Sequence, residues 1–134
     1  MEEFFKGLCA HLAHKPPVFL DDEGEVYFVG KRITQSVDDE GNRWYHLDQQ
    51  RDIESFLEEH GYVGVRQVAA PMASKALITS DPTLLDKTSA TRYRSMVGSL
   101  QYFATETQWY LAHAVTRLAQ LNSAPTVGAE KQLQ

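Results

Sequence analysis

Residues 90–121, ATRYRSMVGSLQYFATETQWYLAHAVTRLAQL, contain two stretches in which apolar side chains recur every three or four positions. This spacing predicts one helix over about residues 90–104 and a second over about residues 108–121. Thr105 or Thr107 is the expected N-cap of the second helix. The short join predicts two antiparallel or steeply crossed neighbours. The apolar stripes are Tyr93, Met96, Val97, Leu100 and Phe103 in the first helix, and Leu111, Ala114, Val115, Leu118 and Leu121 in the second.

The residues before this pair predict a mixed structure. Phe4, Phe5, Leu8 and Leu12 favour a helix over residues 3–13, which Pro16 and Pro17 end. Residues 25–33 and 43–47 are rich in β-branched and aromatic side chains and flank the polar turn 37–42. They predict a β-hairpin with a long loop. Asp48 is the expected cap of a following helix that ends at Gly61. The expected fold class is therefore α+β: an N-terminal helix, a β-hairpin with a following helix, and a C-terminal antiparallel helix pair.

The same pattern predicts how the chain is divided. Residues 1–72 form the hairpin-containing α+β part, and residues 73–89, rich in Ser, Thr, Asp and Lys, form a connection. Residues 90–125 form the helical part, and residues 126–134 are expected to be a frayed tail.

Charge is distributed unevenly along the 134 residues, whose formal net charge is −5. Residues 1–60 hold 6 basic and 14 acidic side chains, and residues 61–134 hold 7 basic and 4 acidic ones. The first part is therefore at −8 and the second at +3, so any contact with phosphates is expected in the second part. No apolar run is long enough to span a membrane. The single Cys9 excludes an internal disulfide and favours a reducing, intracellular compartment.

Four blocks of sequence, in order, resemble one known family. They are Tyr27-Phe-Val-Gly-Lys-Arg-Ile33; Tyr45-His-Leu-Asp-Gln49 with Ile53, Leu57 and His60-Gly61; Ala70-Pro-Met72; and Tyr93-Arg-Ser-Met-Val-Gly-Ser-Leu-Gln-Tyr-Phe-Ala104 with Thr107, Ala114-Val115 and Leu118. Together they resemble the copia-type (Ty1/copia) retrotransposon polyprotein, over roughly residues 20–125. The matching region is the part of the reverse transcriptase that follows the catalytic palm strands, namely the primer-grip hairpin and the thumb.

The chain departs from this family in two places. The last helix of the family usually opens with Thr-Arg-Pro-Asp, whereas this chain has Thr107-Gln108-Trp109-Tyr110. The Tyr-x-Asp-Asp strand, whose carboxylates hold the metal ions of the polymerase, is absent from the sequence. The acidic pairs 21–22 and 38–39 are interpreted as turn residues, and Cys9, His11 and His14 as a surface helix rather than a zinc site. We therefore expect no catalysis, no metal and no cofactor.

The resemblance implies a nucleic-acid-binding site. Val29 and Gly30 take the primer-grip position, and Arg94, Gly98 and Tyr102 take the positions that face an RNA–DNA or DNA duplex. Independently of the family, the spacing i, i+4, i+8 puts the last three on one helix face, with a drift of about 40° per step. A mid-helix glycine suggests close approach of another molecule to the backbone. The alternative is that Gly98 admits a neighbouring helix of the same domain and that Tyr102 covers the core.

Two further alternatives concern partners. Gly30 within a strand is also typical of a bulge. Phe28 and Trp44 are expected to form an apolar patch, which either contacts a partner or lies under helix 3–13. The expected function is a non-catalytic fragment that binds a template–primer duplex. The alternative is a domesticated, retroelement-derived structural subunit of a larger protein assembly.

Overall fold

The computed structural model describes residues 20, 24–65, 71–72 and 81–133, and it confirms the α+β class. An antiparallel sheet has the order β1-β2-β3. Its strands are β1 (Glu25–Phe28), β2 (Lys31–Val37) and β3 (Arg43–Asp48). The helices are α1 (Gln50–Glu59), α2 (Lys87–Glu106), α3 (Ala112–Ala119) and α4 (Val127–Leu133), with a 3-10 helix at Trp109–Leu111. The chain divides into two compact units, Met1–Gln50 and Arg51–Gln134. The predicted helix 3–13 lies outside the described residues.

The first predicted strand, residues 25–33, is two strands. Val29 and Gly30 form a two-residue turn between Phe28 and Lys31, which are paired across it. Both turn residues have positive φ, 48° for Val29 and 69° for Gly30. A type I′ hairpin turn requires this conformation at both positions. The prediction that Gly30 lies within a strand or bulge is therefore wrong, because the glycine is the second residue of the turn. The preceding valine is β-branched and favours a strand, so the sequence does not indicate a turn here.

A carboxylate accepts hydrogen bonds from backbone N–H groups at the N-terminus of each of the two longest helices. The N–H of Gln50 at the start of α1 donates to the Asp48 carboxylate at 3.1 Å, as predicted. The helix α2 begins three residues before the predicted Ala90, because Asp86 accepts from the backbone N–H groups of Thr88 at 2.8 Å and Ser89 at 3.1 Å. These hydrogen bonds, with one from the Ser89 hydroxyl, lower the pKa of Asp86. Each cap pairs donors that the first helical turn leaves unsatisfied.

The core of the second unit lies between α2 and the elements on either side of it. One cluster joins α2 to α3 and α4 through Tyr93, Val97, Ala104, Val115, Leu118 and Ala129. The Tyr93 hydroxyl donates to the Leu118 carbonyl at 2.8 Å within it, and burial raises the pKa of Tyr93 to about 12. A second cluster joins α2 to α1 through Phe56, Met96 and Phe103. The predicted apolar stripe of the first helix and the C-terminal helix pair are confirmed.

The join between α2 and α3 differs from the prediction. Thr107 is the C-cap of α2, and the Thr105 hydroxyl donates back to the Gln101 carbonyl at 2.8 Å inside the same helix. Gln108, which precedes the 3-10 helix, makes no side-chain cap. The predicted threonine caps are therefore wrong: Thr105 lies within α2, and Thr107 ends that helix instead of starting the next one.

The tail is helical and tied to the segment before α2, which contradicts the predicted fraying. Leu84 and Thr126 form an isolated antiparallel bridge. The Leu85 N–H donates to Pro125 at 3.0 Å, and the Val127 N–H donates to Thr83 at 2.8 Å. The helix α4 follows this contact directly. No helix in the described ranges has the length and apolar composition to cross a membrane.

Candidate nucleic-acid interface

The face of α2 opposite the core carries the three predicted helix residues. Gly98 lies at its centre and is exposed, with Arg94 and Tyr102 one turn to either side. A Cβ added at Gly98 would have no described heavy atom within 4 Å. The alternative that Gly98 admits a neighbouring helix therefore finds no support among the described residues. We call this the α2 outer face; its residues are Thr91, Arg94, Ser95, Gly98, Gln101, Tyr102 and Thr105.

The Arg94 side chain is oriented by the turn that follows α3. Its Nε donates to the Asn122 carbonyl at 2.7 Å, while the residue as a whole is exposed. A guanidinium has five N–H donors, so one such bond leaves it able to bind a phosphate or a base edge. The contact fixes the arginine on the flank of α2 that faces α3.

The opposite flank of α2 borders an open groove of about 480 Å³ against α1. Its floor is aromatic: the Phe56 and Phe103 rings meet edge-to-face with centroids 5.6 Å apart. Asp52 and Glu59 line the α1 side, and Gly98, Ser99 and Tyr102 line the α2 side. Tyr102 is thus half-buried at the groove edge, 5.9 Å from Phe103 between ring centroids. Sequence reasoning missed Asp52 and Glu59, because their position depends on how α1 packs on α2.

The other two predicted nucleic-acid contacts, Val29 and Gly30, lie in the first unit, at the exposed tip of the β1–β2 turn. Val29 is 61% exposed. The structure therefore gives the predicted residues two separate settings, a turn tip in one unit and a helix face in the other.

Phe28 and Trp44 do not form one patch. Phe28 pairs with Lys31, and Trp44 pairs with Ser36, which is five positions away along β2. Because side chains alternate between the two faces of a strand, the two aromatic residues lie on opposite faces of the sheet. They are exposed to 66% and 55% respectively. The Phe28 face is the apolar one, and its other apolar residues are Val26, Ile33, Val37, Tyr45 and Leu47.

Trp44 instead forms a hydrogen bond with the β2–β3 loop. Its Nε1 donates to the Asp38 carboxylate at 3.0 Å, and Asn42 donates to the same carboxylate from its backbone N–H and its side-chain amide, at 2.8 and 3.0 Å. These donors, with Trp44 first, lower the pKa of Asp38 to about 2. The interpretation of residues 38–39 as turn acids agrees with this geometry for Asp38.

Metal ligands do not cluster in the described ranges: no group of three His, Cys, Asp or Glu side chains there is arranged to hold an ion. Cys9, His11, His14 and the 21–22 acidic pair lie outside those ranges.

Comparison with known proteins gives two relatives from Arabidopsis thaliana. The chain is 37% identical over 105 residues to the retrovirus-related Pol polyprotein from transposon RE2, and 36% identical over 118 residues to that from transposon RE1. These alignments cover 75% and 85% of this chain. The chain is a homologue of one region of a retrotransposon Pol polyprotein. The resemblance to copia-type polyproteins is thereby confirmed.

The matched region is a small part of these polyproteins. The chain spans 6% of the length of the RE2 polyprotein and 7% of that of the RE1 polyprotein. No protein-family model matches the chain. No solved structure matches it either.

Proposed function

We propose that this region of a retrotransposon polyprotein binds a template–primer duplex through the α2 outer face. The observation that carries the proposal is the open backbone at Gly98, in the middle of a 20-residue helix. A glycine there costs about 1 kcal/mol relative to alanine. Because no described neighbour uses the space, close approach of an external molecule is the function that the glycine best supports.

The chemistry around Gly98 suits a nucleic acid. The neighbouring positions of the outer face hold small or uncharged side chains, so a duplex groove can approach the helix without a steric block. Tyr102 offers a ring for contact with a sugar or base, and Arg94 offers a cation. The 94, 98 and 102 positions are also those that the family resemblance assigns to the duplex contact.

The charges on the two flanks suggest an orientation for the duplex. Asp52 and Glu59 line the groove on the α1 flank and repel phosphates, whereas Arg94 on the α3 flank attracts them. We infer that the phosphate backbone follows the Arg94 flank and that the groove receives sugar or base edges. Val29 and Gly30, in the first unit, are proposed as a separate contact with the primer.

This role is binding without catalysis. The sequence has no Tyr-x-Asp-Asp strand, so the metal-binding carboxylates of a polymerase would come from elsewhere in the polyprotein. The region would hold the duplex while another segment performs the chemistry.

A binding titration with an RNA–DNA hybrid at several salt concentrations tests the proposal. Affinity should fall as salt rises, because binding to phosphates releases counterions. The Arg94→Ala variant should bind more weakly and lower the salt slope by about one. The matched control is Arg92→Ala, which removes the same charge from another exposed position of α2. Absence of hybrid binding at low salt, or equal losses in the two variants, would contradict the proposal.

A second candidate function, contact with a protein, is favoured by the apolar face of the sheet. Phe28, Val37, Tyr45 and Leu47 on this face are each more than half exposed. An apolar surface of this kind is typical of an interaction site. A Phe28→Ser variant should lose co-purification with a protein partner from the native source, whereas Trp44→Ser, on the opposite face, should retain it. If the partner co-purifies with both variants, the Phe28 face is not its binding site.

A further inference from the structure

The corner between α2 and α3 exposes two adjacent aromatic rings. Trp109 is 79% exposed and Tyr110 is 55% exposed. Their ring centroids lie 6.4 Å apart at an interplanar angle of 81°, so the pair is edge-to-face and neither ring stacks on the other. These residues replace the proline and carboxylate of the Thr-Arg-Pro-Asp motif that the resemblance leads one to expect.

The exposed side of α3 continues from this pair. Tyr110, His113 and Arg117 are spaced i, i+3, i+7, and all three are exposed, while Ala114, Val115 and Leu118 are buried on the opposite side. We call Trp109, Tyr110, His113 and Arg117 the α3 outer surface. The Arg117 guanidinium also donates to the Gln120 side chain at 3.2 Å, which holds it along the helix.

The electrostatics of this surface favour an anionic ligand. Residues 107–129 contain no Asp or Glu, although the whole chain is acidic with a net charge of −5. The nearest acidic residues along the chain are Glu106 and Glu130. The segment that contains Arg117 therefore holds a permanent cation and no carboxylate.

We propose that the α3 outer surface binds unpaired bases of single-stranded nucleic acid. Exposed aromatic rings next to cations are the general means by which proteins hold single strands, because every base has a face that can stack and every phosphate a negative charge. A duplex buries its base faces and cannot use these rings in the same way. The ligand class rests on the proposed nucleic-acid function, but the surface is separate from the α2 outer face.

Tryptophan fluorescence tests the proposal directly. The chain has two tryptophans, so the Trp44→Phe variant leaves Trp109 as the only reporter. Titration with a single-stranded oligothymidylate should quench this fluorescence, and the affinity should decrease with salt. The Trp109→Ala variant should lower the affinity for the single strand by roughly 5- to 150-fold, the range for loss of one stacked base. The matched control is Trp44→Ala, because that tryptophan is also exposed but belongs to the sheet.

Comparison with duplex binding separates this proposal from the preceding one. Single-strand binding that depends on Trp109, with no hybrid binding, supports the α3 surface and overturns the α2 role. Hybrid binding that Gly98→Leu weakens, with single-strand affinity equal in Trp109→Ala and Trp44→Ala, overturns the α3 proposal. A Trp109-dependent self-association without quenching by the oligonucleotide also overturns it and assigns the rings to a protein contact.

Discussion

The backbone of Val29 is held in an unfavourable conformation. Val29 has a φ of 48°, a conformation that β-branched side chains rarely adopt, yet it occupies the first position of the β1–β2 turn. A turn of this type normally contains Asn-Gly or Asp-Gly, and a Val-Gly pair inside an apolar run therefore predicts an unbroken strand. The pairing of β1 with β2 on either side of the turn outweighs the preference of Val29 for a negative φ.

Replacement of Val29 by Asn should stabilise the protein. The new side chain tolerates positive φ, so the free energy of unfolding should rise by about 1 kcal/mol in urea denaturation. The control is Val37→Asn, at an exposed strand position where the same substitution removes β propensity and gives no gain. Equal effects at the two sites would show that the turn conformation carries no strain.

Asp38 should titrate well below an ordinary aspartate. Its pKa of about 2 follows from hydrogen bonds that only the charged form accepts. Because the folded pKa is below the unfolded one, these bonds stabilise the loop above about pH 4, and this contribution disappears as the pH falls towards 2.

An NMR titration of the Asp38 carboxyl carbon checks this assignment. In the Trp44→Phe variant the pKa should rise towards that of an ordinary aspartate, because the indole N–H no longer donates to the carboxylate. Trp109→Phe is the control and should leave the titration unchanged. An unshifted pKa in Trp44→Phe would disprove the role of the indole.

Secondary-structure elements were predictable where their signals are local. The apolar stripe of α2 and the Asp48 cap of α1 are both contained in a few neighbouring residues, and both are confirmed. The helix α4 was missed because its start depends on a bridge between Leu84 and Thr126, which are far apart in the sequence. Likewise, only the packing of α1 on α2 brings Asp52 and Glu59 beside Gly98.

The α2 helix should respond to Gly98→Ala in two opposite ways. The alanine has room for its Cβ and favours the helix, so the free energy of unfolding should rise by about 1 kcal/mol. The same methyl group stands where the duplex is proposed to approach, so the affinity for an RNA–DNA hybrid should fall. Thermal denaturation and a binding titration on one sample measure the two effects. A more stable variant with unchanged affinity would separate Gly98 from nucleic-acid binding.

At the scale of the whole molecule, charge opposes a general affinity for polyanions. The net charge is −5, and the acidic groove wall lies beside the proposed duplex site. We therefore expect phosphates to contact the second unit on the Arg94 flank of α2, away from the carboxylates of the groove wall.

Neutralising the groove wall should strengthen duplex binding. In an Asp52→Asn, Glu59→Gln variant, phosphate repulsion is removed, so the affinity for a hybrid at low salt should increase and the gain should shrink as salt screens the charges. A Glu54→Gln, Glu58→Gln variant removes the same charge from the other side of α1 and is the control. Equal gains would reflect net charge alone, and no gain would show that the bound duplex does not come close enough to the groove wall to be repelled by it.

The contact between residues 81–85 and 125–128 also has a mechanical consequence. It joins the segment before α2 to the segment after α3, so that the two ends of the intervening chain are held together. The amide protons of Leu85 and Val127 donate hydrogen bonds across this contact, so they should exchange with deuterium at matching rates. Proteolytic removal of residues 125–134 should therefore speed amide exchange at the beginning of α2, about forty positions upstream. The effect there should be larger than in the middle of the helix.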